Sequence, residues 1–227
     1  MKNGIFYIAL LVVLTACQPS HQNAIYADLT PAEAAFIQSY QRTLNEYLQD
    51  ADDASFQEKL TALMLTAPTQ SDTPHILQVQ SDIQIQLGHF EEAIKLNNAL
   101  FYLQPNADTR YLNCTLLEVL DRSDKKIEAC YSQAAQLYKK ALSKLKDVES
   151  AEFQDQYFFY LLSMLQAGHP NFHAKIKDFI ASLPDEKQQD FNNQYTLVAD
   201  QHEHAAFLDA IRTGQWTHFS SMNNQDI

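Results

Sequence analysis

Four glycines in 227 residues set the first limit on what this chain can become. Glycine supplies the positive φ angles that β-hairpins and bulges need, so its scarcity argues against a β-rich fold. A hydrophobic content of 46% implies a packed core rather than disorder. The length suits one domain with a real core, or two small ones.

Helical spacing dominates the chain. Thr30-Pro31-Ala32-Glu33 reads as a helix start, with Thr30 as cap, Pro31 in the first turn and Glu33 completing a capping box. Phe36, Tyr40, Leu44, Tyr47 and Leu48 follow at helical intervals, and Ala51-Asp52-Asp53-Ala54 breaks the pattern. Phe56, Leu60, Leu63 and Met64 form a second amphipathic segment, ended before Pro68. Residues 75–87 are ambiguous: Val79, Ser81, Ile83, Ile85 and Leu87 alternate like a strand, while Ile76, Val79, Ile83 and Leu87 fit one helix face. Phe153 to Ala167 is apolar nearly all round, which predicts a buried helix. Short helices follow around Phe172–Ile180, Phe191–Val198 and Phe207–Ile211.

The first seventeen residues carry a different signal. One positive charge at Lys2 precedes the unbroken apolar run Ile5 to Leu14, about half the roughly 20 residues of a membrane span. Leu14-Thr15-Ala16-Cys17 then resembles the bacterial lipobox, in which the Cys thiol receives diacylglycerol before cleavage. The resemblance implies a signal peptide over 1–16 and an acylated, palmitate-bearing Cys17. Acyl chains worth roughly 0.8 kcal/mol per buried methylene would hold such a lipoprotein on a membrane. Gln18 stands where an Asp usually signals inner-membrane retention, so the expected location is the outer membrane, periplasmic face. Residues 17–29 read as a lipidated tether reaching at most about 45 Å, 30–215 as the helical domain and 216–227 as a C-terminal tail.

Leu87-Gly88-His89-Phe90-Glu91-Glu92-Ala93-Ile94, followed by Pro105, resembles a tetratricopeptide repeat. Gly88, Phe90, Ala93 and Pro105 sit at that family's relative spacing, making 74–107 one repeat. Asn97 and Leu100, and Gln80 and Ser81, depart from its usual packing residues. In the next unit, Tyr111 to Leu120 gives one helix and Ile127 to Leu145 another, with Asp121-Arg122-Ser123-Asp124 between them and no Gly at the turn. The expected fold is all-α: antiparallel helical hairpins stacked as a small TPR-like solenoid, because one hairpin cannot bury its apolar stripe alone. If the resemblance transfers, His75, Gln78, Asp82 and Gln86 line a polar, partner-binding stripe on the concave face; an ordinary solvated helix face is the plain alternative.

Cys114 and Cys130 lie symmetrically about Arg122. On antiparallel helices that places them at the same height, roughly 12 Å from the turn at 1.5 Å per residue, as a disulfide requires. Two buried free thiols are the alternative. An oxidising compartment favours the bond.

A net charge of −12, or −13 once Lys2 leaves with the signal peptide, repels phosphate backbones and argues against nucleic-acid partners. No phosphate loop, Gly-x-Ser-x-Gly elbow or His-Glu-x-x-His occurs. His202-Glu203-His204 puts its imidazoles about 200° apart on a helix, and Pro170 separates His169 from His173, so no metal site is expected. Catalytic residues and cofactors are expected to be absent. The expected role is a membrane-anchored module that binds another envelope protein or peptide: an adaptor, assembly factor or regulator of a cell-envelope machine such as a secretion or pilus pore or a peptidoglycan synthase. The alternative is an immunity lipoprotein neutralising a periplasm-acting toxin, whose basic cleft an acidic surface would attract.

Overall fold

The computed structural model describes residues 29–69 and 71–214; the segments expected to be signal peptide, acylated Cys17 and C-terminal tail, with nearly all of the expected tether, lie outside the described residues. Among the described residues there are ten helices and no strand. They are α1 (Pro31–Asp50), α2 (Asp53–Leu65), α3 (Pro74–Gln86), α4 (Phe90–Leu103), α5 (Ala107–Val119), α6 (Asp124–Leu142), α7 (Ala151–Gln166), α8 (Phe172–Ala181), α9 (Asp185–Ala199) and α10 (Gln201–Arg212). The fold is all-α, with neighbouring helices packed as hairpins. The chain divides into two compact units between Pro105 and Asn106, where the sequence reads as one continuous domain.

The first unit holds α1 to α4. Phe36, Ile37 and Tyr40 of α1 meet Phe56 and Leu60 of α2 and Ile76, Val79 and Ile83 of α3 in one core. The ambiguous stretch 75–87 is helix, because its β-like alternation is outweighed by the apolar face that closes this core. Tyr47 stacks on Phe56 at 4.2 Å and fixes the α1–α2 hairpin. Ala93 is fully buried where α4 meets α3, and Ser81 Oγ donates to its carbonyl at 3.4 Å. Gln57 Nε2 donates to the Gln86 carbonyl at 2.7 Å, tying α2 to the end of α3.

The second unit holds α5 to α10. The α5–α6 hairpin packs on α7, α8 and α9 follow on α7, and α10 returns to α5. Phe158, Leu161 and Leu162 of α7, Phe172, Ile176 and Ile180 of α8, and Phe191 and Tyr195 of α9 form its main core. Other aromatics of α7 are only partly buried: Tyr157, Phe159 and Tyr160 pack on the core's edge. Among the described residues no helix is long and apolar enough to cross a membrane.

Three hairpin turns share one geometry. His89 N–H donates to the Gln84 carbonyl at 2.8 Å, Arg122 to Leu117 at 3.0 Å and His169 to Met164 at 3.2 Å. Each closes a Schellman turn, whose preceding residue must be left-handed. Gly88 (φ 73°) and Gly168 (φ 85°) meet that need, and at the middle turn Asp121 does so at φ 50°. Asp tolerates this region better than most residues, so the turn recurs although its glycine does not.

The capping box at Thr30 forms as the sequence predicts. Glu33 N–H donates to Thr30 Oγ1 at 3.3 Å, and Thr30 N–H to Glu33 Oε2 at 2.8 Å. The other carboxylate oxygen reaches further along the chain, accepting from Ser71 Oγ at 2.5 Å and Thr73 Oγ1 at 2.8 Å. One side chain thus caps α1 and anchors the loop that leads into α3. The Ser71 hydrogen bond, then those from Thr30 and Thr73, lower the Glu33 pKa to about 2. Because the folded value lies below the ordinary 4.5, this contribution is present above pH 4.5 and is lost as pH falls towards 2. Glu33→Gln should destabilise the protein by about 1 kcal/mol at neutral pH, the usual worth of a helix cap. Denaturant melts at pH 7 and pH 2.5 check this, with the difference from wild type shrinking at the lower pH.

Candidate functional site

Of the four residues expected on a polar, partner-binding stripe of α3, the structure exposes only part. His75 and Gln78 are half-buried, while Asp82 and Gln86 are buried at 4% and 5% exposure. The four do not form a continuous surface stripe. The heptad-like polar spacing of α3 coincides with a helix covered on most of its circumference: nine of its residues, Gln80 and Ser81 among them, are buried. Periodicity reports which residues share a face; it does not report what covers that face.

Asp82 is the anomaly of this helix. Its Oδ2 has no hydrogen-bond partner, and neither does the buried hydroxyl of Tyr40 on α1. Burial holds the Asp82 carboxyl well above the usual carboxylate range. Burial first, and the nearby Asp82 second, push the Tyr40 phenol well above its ordinary 10. A further amide, Asn97 Nδ2 of α4, is buried and unpartnered. An acid kept in such surroundings costs stability.

Cys114 of α5 and Cys130 of α6 form a disulfide, with Cα atoms 5.5 Å apart. Both are buried, with Tyr131, Tyr111, Leu117, Ile127 and Ala167 around them. Their equal distance from Arg122, in the turn between the two helices, is what brings them level.

The sequence does not reveal the polar centre beside this disulfide. Glu118 Oε1 accepts from the Tyr131 hydroxyl of α6 and, at 3.3 Å, from Gln166 Nε2 of α7. Glu118 Oε2 is 2.6 Å from His204 Nε2 of α10, across 86 residues of sequence. Gln166 Oε1 in turn accepts from the Tyr111 hydroxyl at 2.7 Å. Burial and the Glu118 charge raise the pKa of Tyr131 and of Tyr111 and keep both phenols neutral. The histidine pairs noted in the sequence therefore go separate ways: His204 joins Glu118, and His173 Nδ1 lies 2.7 Å from the Tyr195 hydroxyl. Among the described residues no three His, Cys, Asp or Glu side chains converge as a metal-holding group. No family model matches the chain, and no curated protein or solved structure matches it.

Two outcomes follow from the buried groups. Since the folded Asp82 pKa is raised above its ordinary 3.8, its penalty is absent below that pH and grows as pH rises. Asp82→Asn should raise the melting temperature at pH 7 and lose that advantage at pH 3.5, read by calorimetry. Replacing Cys114 and Cys130 together by Ser should cost about 3 kcal/mol, the worth of closing a loop of about 15 residues, as measured by chemical denaturation with and without reductant.

Proposed function

We propose that the chain is a lipid-anchored, periplasm-facing interaction module of the bacterial envelope, acting through a partner protein or peptide rather than by catalysis. The observation that carries the reading is the sequence Leu14-Thr15-Ala16-Cys17 behind a ten-residue apolar run. A diacylated Cys17 confines whatever follows to the neighbourhood of one membrane, and the short tether keeps it there. Two units of packed helical hairpins suit such a post, because hairpin stacks present extended faces to partners. The tetratricopeptide-like spacing around Gly88 and Ala93 supports the first unit as the partner-binding part.

Within that unit the surface offers specific contacts. His75 and Gln78 remain accessible on α3. Tyr102 is 87% exposed near the end of α4 and Leu65 is 85% exposed at the end of α2. Exposed Tyr is among the residue types that most often anchor interfaces. On the same helix Asp82 is buried, with one carboxyl oxygen that has no hydrogen-bond partner.

The experiment is an affinity capture from detergent-solubilised envelope, with the acylated protein beside Cys17→Ser and Tyr102→Ala. Metabolic labelling with palmitate should mark the wild type and leave Cys17→Ser unlabelled. Capture of a secretion pore, pilus pore, assembly machine or cell-wall synthase, weakened at least about tenfold by Tyr102→Ala, supports the adaptor. Tight binding only to an added toxin from a neighbouring gene replaces it with the immunity reading. An unlabelled wild type removes the anchor and the proposal with it.

A further inference from the structure

His204 lies in the first turn of α10, and both of its ring nitrogens face acceptors. Nε2 is 2.6 Å from Glu118 Oε2, and Nδ1 is 2.8 Å from the Leu197 carbonyl of α9. A carboxylate and a carbonyl have no hydrogen to give, so both nitrogens must donate. Only the imidazolium carries two N–H groups. The docked position of α10 therefore selects the charged form of His204.

The other end of α10 is held differently. Arg212 donates through Nε to the Val119 carbonyl at 2.8 Å and through Nη2 to the Glu118 carbonyl at 3.3 Å and to Asp121 Oδ1 at 2.7 Å. A guanidinium keeps its charge throughout the accessible pH range. The helix thus has one anchor that pH cannot change and one that it can.

We infer that His204 and Glu118 form a pH-sensitive latch, which holds the N-terminal end of α10 against α5 and α9 and releases it as pH rises. The surroundings favour this. Glu118 faces His204 from α5, with the Tyr131 hydroxyl of α6 and the Gln166 amide of α7 already on its other oxygen. Tyr111 of α5 stands behind Gln166 as a neutral phenol. From α9 the contact is the Leu197 carbonyl, and Asp200 caps α10 by accepting from the His202 and Glu203 amides at 2.9 and 3.1 Å. His202 and Glu203 flank His204 on its own helix, and Arg212 with Asp121 closes the far end. Apart from His202 and Arg212, these ionisable groups are carboxylic acids and phenols. Burial alone would lower the His204 pKa, but the Glu118 hydrogen bond and charge, with the Leu197 bond, outweigh it and raise the value above the ordinary 6.5.

The direction follows. A folded pKa raised above the released value leaves the latch at full strength below about pH 6.5. Between the released and docked pKa values the opening equilibrium gains up to about tenfold per pH unit, since one proton is lost on release. Above the docked pKa the effect levels off. Opening frees the first turns of α10, while Leu208 and Ala210, its buried residues, lie towards the end that Arg212 holds. This inference stands independently of the proposed function, for it concerns the folded chain alone.

The test uses the whole chain and two readouts across pH 5.5 to 8.5: nitrogen-15 NMR of His204, and amide exchange of residues 201–212 corrected for intrinsic rates, with α6 as internal reference. The expected result is a His204 that titrates above 6.5 with both N–H groups in the docked state, and protection of α10 that falls with pH while α6 holds. Glu118→Gln should abolish the pH slope. Arg212→Gln should weaken protection by a similar factor at every pH and keep the slope. A His204 titrating at or below 6.5, a flat protection profile in the wild type, or a slope that survives Glu118→Gln would overturn the latch.

Discussion

One carboxylate gathers the second unit. Glu118 projects from α5 and accepts hydrogen bonds from α6, α7 and α10, through Tyr131, Gln166 and His204. Removing a charged acceptor from water is costly unless its lone pairs are met, and here three donors meet them. The disulfide one helical turn earlier, at Cys114, keeps α5 and α6 level, so that Tyr131 stands opposite Glu118. At the C-terminal end of α7, Gln166 supplies the amide that reaches Glu118. With Arg212 bonded to the carbonyls and Asp121 that follow, the last helix folds back onto the first of its unit.

The first unit solves the same problem with a different acid. Glu33 accepts from Thr30, Ser71 and Thr73 and so joins the start of α1 to the loop before α3. Satisfied carboxylates of this kind are part of the scaffold. Asp82 contrasts with both, since one of its oxygens is buried without a partner. Two acids with their donors and one without, in a chain of net charge −12, separate what the fold requires from what it tolerates.

Much of this was legible in residue order because it is local. The capping box at Thr30, the stops near Pro68 and Gly168, and the helical spacing of Phe36 to Tyr47 depend on neighbours within a turn or two. The Cys114–Cys130 pairing was legible too, since antiparallel helices convert equal distance from a turn into equal height. Asp121 shows the limit of reading a repeat by its glycine: the Schellman turn persists with another residue that accepts left-handed φ. The polar spacing of α3 shows a second limit: it says which residues share a helix face, while the burial of Asp82 and Gln86 depends on tertiary covering. The Glu118–His204 pair spans 86 residues, and no local pattern marks either partner.

The most direct measurement of this account is a double-mutant cycle between Glu118 and His204, using Glu118→Gln, His204→Gln and both together. Unfolding free energies would be taken at pH 6. The account predicts a coupling of about 1–3 kcal/mol, as contacting groups in one partly buried network show. A coupling indistinguishable from zero would mean that α10 is held by packing and Arg212 alone, and Glu118 would lose its place at the centre of the unit.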